Sequence, residues 1–225
     1  MGSNPAEAAE DPLHLISRGR TWLHTRWIKN TYPFAEFGRG TSVDHTCDIR
    51  RSIASAVSLG ANVYLAPDIW LNITEGTKGP RPKIVLGAGC RLGRRTTISA
   101  RNHIHLEEDV LTAPSVFLMD HNHAYADITK PIHAQGVTSG GTITIGRNCW
   151  LGCGVVVLSG QKDLVIGRNS VLAANAVVTQ SFPDFSVIAG NPAKLVRIYD
   201  PQTEKWTKPE ALSEGTTEKL RPQSR

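Results

Sequence analysis

Aromatic residues are scarce, at 6% of the 225 positions. That excludes a core packed around rings and leaves stacked small aliphatics to supply it. Cysteine is scarce too: Cys47, Cys90, Cys149 and Cys153 show no CxxC or Cys/His spacing of a zinc site, so no metal is expected. No apolar run is long enough to span a membrane, and the first residues lack a signal-peptide pattern, so the expected location is cytoplasmic. The net charge of +5 invites an anionic partner. No basic cluster alternates with aromatics inside the repeat, so nucleic acid is not expected. With 40% hydrophobic and 20% charged residues, the composition is that of an ordinary globular chain.

What is present is a period. Between Leu86 and His123 an aliphatic residue falls due every sixth position: Leu86, Leu92, Ile98, Ile104, Val110, Val116. Glycine or another small residue often follows, as in Leu86-Gly87, Leu92-Gly93 and Ile98-Ser99. A hexapeptide period belongs to parallel β-helices. Each unit is one short strand plus a corner, with a second inward residue four positions on: Val63, Cys90, Cys149, Val155, Ser170, Ala176. The small residue after the aliphatic one is expected to make the bend. A single turn cannot bury its own apolar row, so turns must stack.

In order along the chain, residues 1–12 are acidic, Ala-rich and expected to be disordered. Residues 13–56 read as a helix followed by a connector. Asp11-Pro12 is a start signal, and Ile16, Leu23, Trp27 and Ile28 recur at roughly helical spacing among Arg18, Arg20, Arg26 and Lys29. Two readings of this basic segment stand open. Residues 13–29, with Trp22 and Trp27, could lie on an anionic membrane surface, or the helix could pack across the end or side of the coil. Gly19 weakens the helix and favours packing. Residues 57–199 carry the coil, with a polar excursion at Thr74–Lys83 and a second, histidine-bearing one from about Asp120 to Gly141. A two-residue slip of phase is expected near Ile104-His105-Leu106, after which Leu106, Thr112 and Leu118 hold the corner frame. Gln161-Lys162-Asp163 delays a later unit by three residues. Residues 200–225 read as a flexible polar tail.

The segments ITIGRNCWLGCGVVVLSG, VIGRNSVLAANAVVTQSF and SVIAGNPAKLVR, with DHNHAYAD before them, resemble the hexapeptide-repeat acyltransferases. Within that family the resemblance is to sugar O-acetyltransferases of polysaccharide and lipopolysaccharide assembly, and it covers about residues 57 to 198. It implies an all-β, left-handed parallel β-helix with a short N-terminal helix and an extended active-site loop. The hand is an exception to the right-handed crossover rule, and the spacing alone does not give it. It also implies a homotrimer with sites between subunits, acetyl-CoA as co-substrate and a sugar as acceptor.

Residue by residue, the resemblance makes His121 the catalytic base, with His123 the competing candidate. Asp120 or a backbone carbonyl would orient the ring, and Asn122, His123, Tyr125 and the residues from Thr74 to Lys83 would meet the acceptor. Histidine suits the task because its unperturbed pKa near 6.5 lets it accept a proton at neutral pH. A backbone N–H near Gly152-Cys153 is the candidate oxyanion donor. Trp150 would lie by the pantetheine arm, Ala173, Ala174 and Thr179 would line the CoA crevice, and Lys194 and Arg197 would meet its phosphates. Gln180 stands where the family often has a cation.

Other readings share parts of this pattern. His103 and His121, like His105 and His123, are eighteen residues apart, and one regular turn would stack them as in a zinc enzyme of the γ-carbonic anhydrase type. Antibiotic acetyltransferases share the expected base and co-substrate. Serine acetyltransferases usually carry a long helical N-terminal domain, which this sequence lacks. A scaffold that keeps the coil without catalysis would have no use for the Asp120-His121 loop.

Overall fold

The computed structural model describes residues 12–74, 79, 81–201 and 203–209. After helix α1 (Pro12–Thr31) the chain coils, and each turn gives one short strand to each of three parallel sheets. The first sheet stacks Glu36–Phe37, Val57–Leu59, Ile84–Leu86, His103–Leu106, Thr142–Ile145 and Leu164–Ile166. The second begins at Ser42–Val43 and passes through Tyr64–Leu65, Arg91–Leu92, Leu111–Thr112, Trp150–Leu151 and Val171–Leu172 to Ser186–Gly190. The third holds Asp48–Ile49, Trp70–Ile73, Thr97–Ala100, Phe117–Met119, Val156–Leu158 and Val177–Val178.

The core is the aliphatic ladder read from the sequence. Leu59, Leu86, Leu106, Ile145 and Ile166 lie in register down the first sheet, and Leu71, Ile98, Leu118, Val157 and Val178 down the third. The second inward slots, Val63, Cys90, Cys149, Val155, Ser170 and Ala176, are all buried. Burial pushes the Cys90 thiol up to about 11 and the Cys149 thiol up to about 12, so both act as small apolar residues.

The corners differ from expectation in one physical respect. A Cβ at Gly87 would stand 2.6 Å from the carbonyl carbon of Glu107, and one at Gly152 would stand 2.7 Å from the nitrogen of Ala174. The small residue after the aliphatic one therefore lets the next turn approach. The bend falls two residues later, at positive φ: Gly89, Gly154, Asn62, Asp109, Asn148, Asn175.

Two boundaries and the position of the phase slip are corrected. The coil starts at Glu36, inside the expected connector, because Phe37, Val43 and Ile49 already hold the inward slots of a first turn and Phe37 lies opposite Leu59. The buried Thr41 of that turn hides the pattern: its hydroxyl donates to Gly60 O at 2.6 Å and accepts from Val63 N at 3.2 Å. At the other end, Lys205–Thr207, within the expected tail, pairs antiparallel with Ala193–Asp200. Residues 210–225 and the expected disordered segment up to residue 11 lie outside the described residues. The phase slip is real but sits slightly earlier. Leu86 pairs with Leu106, two residues more than a regular turn, and the extra pair is Arg101-Asn102 in the corner before His103.

Helix α1 packs against the first turn of the coil. Ile28 is buried, Thr21 Oγ1 donates to Asp44 Oδ2 at 2.8 Å, and Thr25 Oγ1 donates to Val43 O at 3.0 Å.

Candidate active site

The corner after Phe117–Met119 holds the expected pair. Asp120 is fully buried, and its carboxylate accepts four hydrogen bonds. Oδ1 takes Arg101 N–H at 2.7 Å and His121 Nδ1–H at 3.0 Å; Oδ2 takes Asn102 N–H at 2.8 Å and His103 N–H at 2.9 Å. The three backbone donors are consecutive, and they belong to the corner that the two-residue slip enlarges. Burial alone would raise the Asp120 pKa. The hydrogen bond from His121 and those three N–H groups prevail and hold it below the usual carboxylate value. Asp120 is therefore an anion at neutral pH, which fixes the His121 proton on Nδ1 and leaves the Nε2 lone pair available.

His121 is buried, and its Nε2 lies 3.3 Å from Thr74 Oγ1, at the end of Trp70–Ile73. With the ring in that tautomer, Thr74 donates. A threonine hydroxyl thus marks where another hydroxyl could present its proton. Sequence reasoning placed Thr74 at the edge of a polar excursion expected to meet the acceptor, and no spacing rule links positions 74 and 121. The signal for the Asp120 cradle was present as the phase slip, but its purpose was not legible.

The loop after His121 is tied back to the same corner. Asn122 N donates to Thr138 Oγ1 at 3.0 Å, Arg101 Nη1 to Thr138 O at 2.6 Å, and Asn102 Nδ2 to Gly141 O at 2.9 Å. His123 and Tyr125 project from this loop and are exposed, so the structure separates the competing histidine from the carboxylate.

The residues expected along a CoA track fall elsewhere. Gly152-Cys153 and Ala173-Ala174 form successive turns of the corner between the second and third sheets. Trp150 is exposed on the outer face of the second sheet, beside Leu111 and Val171. Thr179 follows the third sheet on the same edge as Asp120, and Lys194 and Arg197 are exposed on the closing hairpin. Of the oxyanion donor expected near Gly152-Cys153, the Gly152 N–H donates to Leu172 O at 2.8 Å as part of the coil ladder, which leaves the Cys153 N–H as the candidate. The face of the third sheet separates the Asp120-His121 edge from the Cys153-Ala174 edge within one chain.

The stacking that a zinc enzyme would need does not form. His103 lies on the first sheet, opposite Thr142, whereas His121 follows the third, and the two added residues break the eighteen-residue repeat. His103 Nδ1 lies 2.7 Å from Pro82 O, and burial lowers the pKa of His103 and of His105. Among the described residues, no group of three or more His, Cys, Asp or Glu is placed to hold a metal. No described helix is long and apolar enough to cross a membrane.

Comparison with known proteins places this geometry. No family model matches the chain. A Mycobacterium tuberculosis protein named as a probable acetyltransferase is 30% identical over 184 residues, covering 82% of this chain and 52% of that protein. Escherichia coli WbbJ, named for lipopolysaccharide O-acetyl transfer, is 34% identical over 117 residues, covering 49% of this chain and 58% of that one. The chain thus spans little more than half the length of these relatives. Among solved structures, the N-acyltransferase AntD of Bacillus cereus superposes with a TM-score of 0.64 at 14% identity, over 79% of this chain and 90% of that one. A hexapeptide-repeat acetyltransferase of Vibrio cholerae gives 0.54 at 19% identity, over 86% and 92%. The fold is that of the hexapeptide-repeat acyltransferases, the left-handed parallel β-helix. By sequence the chain is similar to acetyltransferases of this kind, including one named for O-acetyl transfer in lipopolysaccharide synthesis.

Proposed function

We propose that the chain is an O-acetyltransferase that moves an acetyl group from acetyl-CoA to a sugar hydroxyl, in the assembly of a surface polysaccharide or lipopolysaccharide. The observation that carries the reading is the buried Asp120-His121 pair, with a carboxylate held anionic by three backbone N–H groups and an Nε2 lone pair that meets the Thr74 hydroxyl at 3.3 Å. The similarity to WbbJ supports the glycan acceptor.

In this mechanism His121 Nε2 takes the proton of the sugar hydroxyl as its oxygen attacks the thioester carbonyl. The Asp120 carboxylate stabilises the imidazolium that forms. The tetrahedral intermediate collapses, the C–S bond breaks, and Nε2 returns the proton to the departing CoA thiolate. General base catalysis of this sort contributes about 10²–10⁴-fold. Asn122, His123 and Tyr125 would contact the acceptor. Trp150, Cys153, Ala173, Ala174, Thr179, Lys194 and Arg197 would contact CoA. Because Cys153, Ala173 and Ala174 occupy a different edge of the prism from His121, a homotrimer is the assembly that would bring them together. An apolar outer row, Leu111, Trp150 and Val171, is available for that contact.

The test is His121→Ala. The variant is expected to lose at least about 100-fold in turnover while still binding acetyl-CoA by calorimetry. Unchanged turnover would remove His121 from the mechanism, and failure of the wild-type chain to bind acetyl-CoA would remove the transferase reading altogether. An antibiotic acceptor is the second reading, because a relative from Agrobacterium fabrum, 28% identical over 135 residues, is named chloramphenicol acetyltransferase. Acceptor screening with both classes separates the two.

A further inference from the structure

Helix α1 is docked by its polar side. The residues that face the coil are Thr21, His24, Thr25 and Ile28; Thr21 and Thr25 bond to Asp44 and Val43, and His24 Nδ1 lies 3.4 Å from Val43 O. Apart from Ile28, the large apolar side chains described from Leu15 onward face the other way. Leu15 is 51% exposed, Ile16 60%, Trp22 63%, Leu23 60% and Trp27 55%. At 100° per residue these five fall on one side of the helix, with Arg20 and Lys29 bordering it and Arg26 within it. Amphipathic helices of globular proteins normally turn the apolar stripe inward, so the reversal calls for an occupant.

Charge selects the occupant. Within Pro12–Thr31 the cations are Arg18, Arg20, Arg26 and Lys29, and there is no carboxylate. Arg18, Arg26 and Lys29 also line a cavity of about 780 Å³ between the helix and the first turns of the coil, shared with Trp22 and Tyr64. Cations beside a stripe that carries two tryptophans are the arrangement of a helix lying in the headgroup layer of an anionic bilayer. A second copy of the chain would bring the same cations against these ones.

We propose that the outer face of α1 docks this protein onto an anionic lipid surface, with Leu15, Ile16, Trp22, Leu23 and Trp27 entering the interface and the arginines meeting phosphate headgroups. The inference rests on the helix alone and stands whatever acyl acceptor is found.

The test is cosedimentation of the full chain with vesicles, either of phosphatidylcholine or of phosphatidylcholine with phosphatidylglycerol. Binding is expected only to the anionic vesicles, and it should weaken as salt shortens the Debye length from about 10 Å at 0.1 M to about 3 Å at 1 M. Arg20→Gln with Arg26→Gln leaves the five apolar residues and the docked residues Thr21, His24, Thr25 and Ile28 in place. Each substitution should lower the partition coefficient about fivefold. Trp22→Ser with Leu23→Ser should abolish binding while circular dichroism and the mass by light scattering stay those of the wild type. No binding of the wild type to anionic vesicles overturns the proposal, as does unchanged binding by the arginine pair. A changed mass in the Trp22/Leu23 variant also overturns it and assigns the stripe to a second copy.

Discussion

Two of the irregularities that interrupt the coil, both short insertions at corners, make different use of the residues they add. At Arg101-Asn102, two extra residues turn three consecutive N–H groups onto the buried Asp120, which in turn bonds His121. At Gln161-Lys162-Asp163, three extra residues form an exposed corner. There Asp163 Oδ1 accepts Thr142 N–H at 2.9 Å, and Lys162 O accepts the Ser159 hydroxyl at 2.7 Å. Both corners satisfy a carboxylate with backbone hydrogen. Only the first removes that carboxylate from water and couples it to a titratable ring, so an insertion in a repeat becomes a site when its donors converge inside.

The sharpest way to break this comparison is to neutralise each carboxylate. Asp120→Asn keeps the shape but gives up the charge that fixes the His121 tautomer, and turnover should fall by at least about 100-fold. Asp163→Asn, remote from the ring, should leave turnover within about twofold. Steady-state kinetics on the two variants decides this, and equal losses would show that both corners act through fold alone. Truncation shifts the contrast to stability. Asp120→Ala strands three N–H groups and should cost about 3 kcal/mol, whereas Asp163→Ala strands one exposed N–H and should cost under about 1 kcal/mol, as read from denaturant midpoints.

A smaller effect follows from the depressed pKa of Asp120. A carboxyl whose folded-state pKa lies below its unfolded value, about 3.9 for aspartate, adds stability that is fully present above the unfolded value. That contribution is lost as pH falls through the folded value. Denaturant midpoints should therefore drop as the pH falls below about 4 in the wild type and drop less steeply in Asp120→Asn. Parallel curves would show that Asp120 is not the group responsible.

Much of the coil was legible because its signal is periodic. Leu86, Leu92 and Ile98 recur in sixes, and the burial of every second inward slot named from the sequence follows from that spacing. What escaped was whatever replaced an aliphatic with something else. Thr41 satisfies its hydroxyl inside the first turn, so a polar residue sits where the pattern asks for an apolar one, and the coil begins twenty-one residues before the expected boundary at 57. Helix α1 misled in the opposite sense. Ile16, Leu23 and Trp27 have helical spacing, yet the docked face is held by threonine hydroxyls, and periodicity says which residues share a face but not which face is inside. At the site, Asp120 and His121 are adjacent and were read from their resemblance to a known loop. Their donors come from 17 to 19 positions back in the chain and their hydroxyl neighbour from 47, separations that only the coil brings together.

Thr74 gives the finest test of the same corner. At 3.3 Å its hydroxyl makes a long, weak hydrogen bond to His121 Nε2. An incoming acceptor hydroxyl must claim the same lone pair, so in the resting protein Thr74 competes with the acceptor, while Asp120 works from the opposite side of the ring. Thr74→Val removes the competitor without changing the volume much. A single net hydrogen bond is worth about 0.5–1.5 kcal/mol, so the acceptor KM should fall by roughly 2- to 10-fold with kcat unchanged. Thr74→Ser should restore the wild-type value. If the acceptor KM instead rises in Thr74→Val, the threonine holds the acceptor, and the Thr74 hydroxyl belongs to the binding surface on which the sugar rests.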